Sequence, residues 1–165
     1  MKESDLYQDV KNWLYDYLKS HYKTAEIIVE DTHNIKLSDF IFRKGLTDKF
    51  PHYRVFDIKT DITGVITRKN QLSTLVFVEC KITKITLTNV GQLLGYSIVA
   101  DPVLSFLISP KGISRSLFNL LHKYNRYDVL FYEKDNNKRI RIVSWVVSRK
   151  EPLWEAEYPP YIQGH

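Results

Sequence analysis

Leu75-Val76-Phe77-Val78-Glu79-Cys80-Lys81-Ile82 is the stretch on which the reading of this chain turns. It begins as an apolar run, mostly β-branched or aromatic, after the polar Lys69-Asn70-Gln71, and so predicts a strand buried on both faces. Side chains alternate along a strand. Leu75, Phe77, Glu79 and Lys81 therefore share one face, and Val76, Val78, Cys80 and Ile82 the other. A carboxylate and an ammonium emerge side by side where an otherwise dry strand ends. Charges leaving water need a partner or a metal ion, so this strand end is either an ordinary ion pair or a site.

Upstream, Tyr53 to Thr67 reads as one long extended segment carrying Val55, Ile58, Ile62, Val65 and Ile66, with Gly64 marking a bulge or a close approach. By parity Asp57, Lys59 and Asp61 project from one face of it. A turn at Arg68 to Leu72 returns the chain into the central strand, which makes the two an antiparallel hairpin. Ser4 to Tyr22 predicts an amphipathic helix, since Leu6, Val10, Trp13, Leu14, Tyr17 and Leu18 recur at three-and-four spacing. Glu3 lies at the head of that buried stripe, where an acid also suits the helix macrodipole. Glu26 to Glu30 reads as a short strand and Lys36 to Lys44 as a helix around Leu37, Phe40 and Ile41.

Downstream, Ile82 to Leu87 is expected as a loop and Thr88 to Val99 as a helix with Val90, Leu94 and Ile98 on its apolar stripe. Gln92 and Tyr96, one turn apart, fall together on another face. Pro102 stops that helix. Val103 to Ser109 reads as a buried strand ended by Pro110, and Ile113 to Tyr124 as a helix burying Leu117, Leu120 and Leu121. Val129 to Tyr132 and Arg139 to Val147 make a hairpin about Asp135-Asn136-Asn137. Glu151 to His165, with three prolines and three bulky aromatics, is expected as an extended tail packed loosely on the body. The order predicts an α/β fold, a mixed β-sheet flanked by helices around an αβββαβ core. Residues 1–150 form its one domain and 151–165 the tail.

A chain of 165 residues with 44% apolar and 13% aromatic content is folded and globular. Its 24 Lys and Arg against 19 Asp and Glu leave a formal charge of +5, which favours a polyanionic partner. One cysteine excludes an internal disulfide framework and Cys-rich zinc or iron–sulfur sites. The five histidines show no ligand spacing. With neither a signal-like segment nor a long apolar span, the expectation is a cytoplasmic protein without membrane contact.

Glu3, Asp61, Glu79-Cys80-Lys81 and Gln92-Leu93-Leu94-Gly95-Tyr96, in that order, resemble the signature of the PD-(D/E)XK nuclease superfamily. The last run is similar to the Gln-x-x-x-Tyr motif of its RecB-like and archaeal members, among them resolvases and restriction-type enzymes. Asp61 begins Asp-Ile-Thr-Gly-Val-Ile, similar to the family's Asp-Ile-x-Gly run, although Thr60 stands where the family usually has proline. The resemblance spans Glu3 to Ser109 and implies a restriction-endonuclease-like fold and a metal-dependent deoxyribonuclease. Asp61 and Glu79 would hold Mg²⁺ (or Mn²⁺), joined by the Cys80 carbonyl, and Lys81 would position the attacking water. Glu3 would reach the metal through water or orient Lys81, and Gln92 and Tyr96 would contact DNA or brace the site. The Cys80 thiol points to the opposite face as core filler. Asp57 is the rival to Asp61, and the sequence after Asp61 favours the latter. Lys111, Arg115, Lys123, Arg126, Arg139 and Arg141 could follow a phosphate backbone. A homodimer would supply the two sites needed to cut two strands. The alternative is a nucleic-acid-binding module on the same fold that does not cut.

Overall fold

The structure is a computed structural model that describes residues 1–133, 135 and 137–158. Its elements in chain order are α1 (Ser4–His21), β1 (Glu26–Asp31), α2 (Leu37–Arg43), β2 (Ile62–Thr67), β3 (Thr74–Cys80), α3 (Leu87–Ala100) and β4 (Leu104–Ser109). Then come α4 (Arg115–Phe118), which runs on as a π turn over Asn119–Lys123, and the strands β5 (Phe131–Glu133), β6 (Lys138–Val146) and β7 (Glu151–Tyr158). The strands form one mixed sheet, ordered β1-β2-β3-β4-β6-β5, with β7 also paired to β6. The α/β class expected from the sequence is therefore present. Among the described residues, no helix is long and apolar enough to cross a membrane.

The β2–β3 hairpin is antiparallel, with Ile62 opposite Val78 and Ile66 opposite Thr74. Its turn uses Asn70 at φ 62°, a residue that tolerates the left-handed region better than most. From β3 the chain crosses through α3 to β4, which lies parallel beside it with Cys80 opposite Ile108. The central strand is dry on both faces, as its alternation predicts: Leu75 and Phe77 join one core, and Val76, Val78 and Cys80 the other. The first core is covered by α2, α3 and α4 through residues such as Phe40, Leu93 and Leu117. The second is covered by α1, whose Leu6, Val10, Leu14 and Leu18 are at most 2% exposed. Each such leucine contributes roughly 1.5–3 kcal/mol by leaving water.

Three expectations are corrected. Tyr53 to Thr67 is not one extended segment, because only Ile62–Thr67 joins the sheet and Tyr53–Val55 is a 3₁₀ turn. The intervening backbone instead closes the start of α2. Leu37 N–H donates to the Ile58 carbonyl (2.8 Å) and Ser38 N–H to that of Phe56 (3.2 Å), which satisfies two orphan donors of that helix. In α3 the buried stripe is Val90, Leu93 and Ser97 instead of Val90, Leu94 and Ile98, and Ile98 is 61% exposed. The helix is turned because the Ser97 hydroxyl meets that of Ser105 on β4 at 2.8 Å, a polar contact that hydropathy alone does not reveal. Residues Glu151–Tyr158, expected as a loose tail, pair with β6 as strand β7, while 159–165 of that tail lie outside the described residues. Asn136, in the expected last turn, also lies outside them.

Gly64 is paired in register with Val29 and Val76, without a bulge. Close approach is its reason. A Cβ there would lie 3.1 Å from Leu18 Cδ1 and 3.2 Å from Val76 Cβ. Leu18 can swing away but the Val76 Cβ cannot, so Gly64→Ala should lower unfolding stability by about 1–3 kcal/mol in a urea titration. A variant as stable as the parent would show that α1 sits on the sheet with slack.

Candidate functional site

The site lies where the β2–β3 ladder ends. Asp61 is one residue before β2, just past the Ile62–Val78 pair, and its side chain takes the place of a strand partner. Its Oδ2 accepts from the Cys80 backbone N–H at 2.8 Å, and its Oδ1 accepts from the Tyr7 hydroxyl at 2.8 Å. The Asp61 backbone is held from the other side. Thr32 N–H donates to the Asp61 carbonyl (2.9 Å), and the Thr32 hydroxyl bonds the Thr60 carbonyl (2.7 Å) and the Thr63 hydroxyl (2.8 Å). Thr60, which stands where the resembled family has proline, thus anchors the strand start.

Glu79 reaches the same place from β3. Its carboxyl is within hydrogen-bonding reach of Asp61, although the two acids are far apart in sequence. Both are deep, at 9% exposure for Asp61 and 6% for Glu79. Burial first, and then the Asp61 charge beside it, push Glu79 up to about 9, with Lys81 only partly offsetting the rise. The closeness of the two carboxyls therefore favours a proton on Glu79 over a second negative charge. The Lys81 ammonium lies 3.6 Å from Glu3 and 4.0 Å from Glu79. Exposure rises along this row, from 7% for the Glu79 side chain to 18% for Lys81 and 36% for Glu3, so the site opens toward the start of α1.

Glu3, Asp61, Glu79 and Lys81 are therefore brought together. Gln92 and Tyr96 are not joined to them. They bond each other across one turn of α3 (3.1 Å), and among the described residues neither is bonded to an acid of the site or to Lys81. Asp57 stands apart on the surface, its side chain 76% exposed and paired with Lys36 at 3.0 Å. The parity that put Asp57, Lys59 and Asp61 on one face does not hold, since those residues are not in a strand. The Cys80 thiol faces the α1 side of the core, where burial pushes it well above its ordinary value and leaves it uncharged filler.

Tyr7 and Thr32 were not singled out in the sequence. Tyr7 had a usable signal: it follows Glu3 by four positions, on the same helix face, with a polar tip at the head of a leucine stripe. Burial and the Asp61 carboxylate push its hydroxyl up, which keeps it a donor. The His33 ring packs against it at 4.9 Å, and His33 is in turn bonded to Asp31 at the end of β1. Thr32 had no signal, because its role exists only once β1 and the segment before β2 are adjacent.

The donor chemistry fits a hard divalent cation. Two acidic side chains meet in a dry place, where burial and mutual repulsion raise Glu79, and a positive charge between them would relieve that repulsion. Among the described residues no group of three His, Cys, Asp or Glu forms a ready ligand set. Mg²⁺, which keeps several waters, is commonly held through one or two carboxylates. No protein-family model, curated protein or solved structure matches this chain.

The Glu79 shift has a definite consequence for stability. In the folded chain this carboxyl keeps its proton up to about 9, whereas its ordinary value is 4.5, so the unfolded chain is the first to release it. In EDTA, stability should thus fall as pH climbs through that window, because unfolding there releases a proton. Glu79→Gln should remove the fall: its melting temperature should match the parent near about pH 5 and exceed it near about pH 8. Parallel pH curves for the two proteins would overturn the account of a proton on Glu79.

Proposed function

We propose that this chain is a metal-dependent DNA nuclease of the PD-(D/E)XK type on a restriction-endonuclease-like fold. One observation carries the reading. Asp61 and Glu79, distant in sequence, converge at the ends of adjoining strands with Lys81 and Glu3 beside them. In the resembled family these residue types hydrolyse a phosphodiester.

Each residue has a part that follows from its surroundings. Asp61 is oriented by the Tyr7 hydroxyl and the Cys80 N–H, leaving lone pairs on both oxygens for a cation. Asp61 and Glu79 would hold the cation, whose charge would favour the ionised form of Glu79. A bound Mg²⁺ or Mn²⁺ supplies Lewis acidity toward the phosphate and makes water acidic enough to attack near neutral pH. Lys81, at the more open end of the row, offers its ammonium to the phosphate charge or the attacking water, and Glu3 holds that ammonium in place. Cys80 contributes its backbone, and Gln92 with Tyr96 offers a polar helix face to nucleic acid.

The basic surface is smaller than the sequence suggested. Arg126 is paired with Asp128, and Arg141 is bound in a partly buried pair with Glu157. Lys111, Arg115 and Lys123 remain as candidate phosphate contacts. A second copy is part of the proposal. Helix α3 has no charged residue, yet Leu87 and Ile98 are more than half exposed on one stripe with Gly91, apart from the stripe that carries Gln92 and Tyr96. In a chain of net charge +5, this is a face on which two copies meet without repulsion. The depth of the acid pair favours the alternative, a nucleic-acid-binding module that does not cut.

The test is incubation with supercoiled, linear, single-stranded and four-way-junction DNA in Mg²⁺, Mn²⁺ or EDTA. The parent should cut in metal alone. Glu79→Ala or Lys81→Ala should slow cutting by at least about 100-fold, while Asp57→Asn leaves it unchanged. Binding without cutting in every metal would establish the module instead. In sedimentation, Ile98→Glu should shift a dimeric parent to monomer, and a parent that is monomeric at all concentrations would remove the second copy.

A further inference from the structure

A second site lies toward the other end of α1, at the opposite ends of the strands. Along β6, Arg139 and Arg141 share the face of Val143 and Trp145, which pack under α1. Toward the start of β6, a cleft of about 720 Å³ opens between the last turns of α1 and strand β7. It begins at Leu104, whose partner Val76 is roughly 13 Å along the strand from Cys80.

The cleft has an ordered aromatic wall. Tyr17 stacks on His21 with centroids 4.1 Å apart, and Trp154 lies 5.7 Å from Tyr17. The Arg141 guanidinium sits between the Trp154 and Phe106 rings, 5.2 and 5.1 Å from their centroids, and donates to the Tyr17 hydroxyl at 3.1 Å. Glu157, 5% exposed, neutralises it. Arg141 is thereby a fixed spacer that sets the rings, not a free charge. Lys138 is likewise held, by Asp101 at 2.8 Å and Glu133 at 3.1 Å. Arg139 is different: among the described residues no acid pairs with it, and it lies on the cleft wall. Trp154 is still 37% exposed although Trp13, Tyr17, Phe106 and Arg141 all pack against it.

A rigid, partly exposed indole beside a guanidinium that no acid pairs with among the described residues matches a planar base that carries a phosphate. Stacking on aromatic side chains tolerates any base, and the arginine takes the anion. The volume is that of a ligand site. We propose that this cleft binds a nucleobase against the exposed part of Trp154, which Tyr17 backs, with its phosphate on Arg139. The same chemistry is offered by a free nucleotide and by one unit of a single strand. The site is separate from the acid pair and does not depend on cutting.

The experiment is run on the full chain in EDTA, with fluorescence anisotropy of a labelled ten-residue oligothymidylate and thymidine monophosphate as competitor. Trp154→Leu and Arg139→Glu should each weaken strand binding by between about fivefold and a hundredfold, and the surface variant Asp57→Asn should not. Competition by the mononucleotide identifies a free nucleotide as a sufficient ligand, and failure to compete with strand binding intact identifies the strand. Arg139 is partly exposed and substitutes without a core defect, so it decides the matter if Trp154→Leu does not fold. The proposal is overturned if the oligomer does not bind, or if Arg139→Glu binds it as tightly as the parent. Because affinity is read without metal, loss of the nuclease reading would leave this result standing.

Discussion

The Asp61 carboxylate closes the end of the β2–β3 ladder. Past the Ile62–Val78 pair the next buried N–H on β3, that of Cys80, faces a side chain, and Asp61 supplies the acceptor. The other oxygen takes the hydroxyl of Tyr7, so one side chain ties α1, β2 and β3 together. Leaving that N–H without a partner would cost about 1–3 kcal/mol. Asp61 is thus structural and chemical at once, and its charge is stabilised by two donors before any ligand arrives. Among the described residues no hydrogen-bond donor comparable to these is recorded for Glu79, and burial with the Asp61 charge beside it raises its affinity for a proton.

The two-sided core determines where this can happen. A strand buried on both faces offers water only at its ends, and β3 ends where α1 begins and where the chain enters β2. The acids could meet only at such a rim. Thr32 and Thr60 reinforce it, so that the approach to β2 is fixed by hydrogen bonds where a strand pairing is missing.

The sequence made the central strand, α1, the hairpin and the crossover legible because period-2 and period-3.6 patterns there reflect burial directly. Legibility failed where polar contacts decide. Ser97 is buried through a bond to Ser105, which turned α3 away from the stripe its leucines suggested. The segment before β2 looked extended because it alternates, yet its carbonyls serve α2. Proline and aromatic content suggested a tail at Glu151–Tyr158, but Pro152 is buried opposite Trp145 within a pairing strand. Of the candidate site, the strand pattern gave the Glu79–Lys81 pair, whereas Glu3 and Asp61 were singled out through the resemblance. Tyr7 and Thr32 matter only through neighbours remote in the chain, and no local pattern encodes that.

Helix α1 has a tyrosine grip at either end: Tyr7 on the acid pair and Tyr17 on the guanidinium held by Glu157. Ten residues of helix separate them, about 15 Å of stiff rod. An axial slip of an ångström would loosen both grips together, because neither hydroxyl can follow its partner independently. The rod therefore acts as a gauge, fixing the spacing between two distant rims of the sheet more tightly than either rim is fixed by itself.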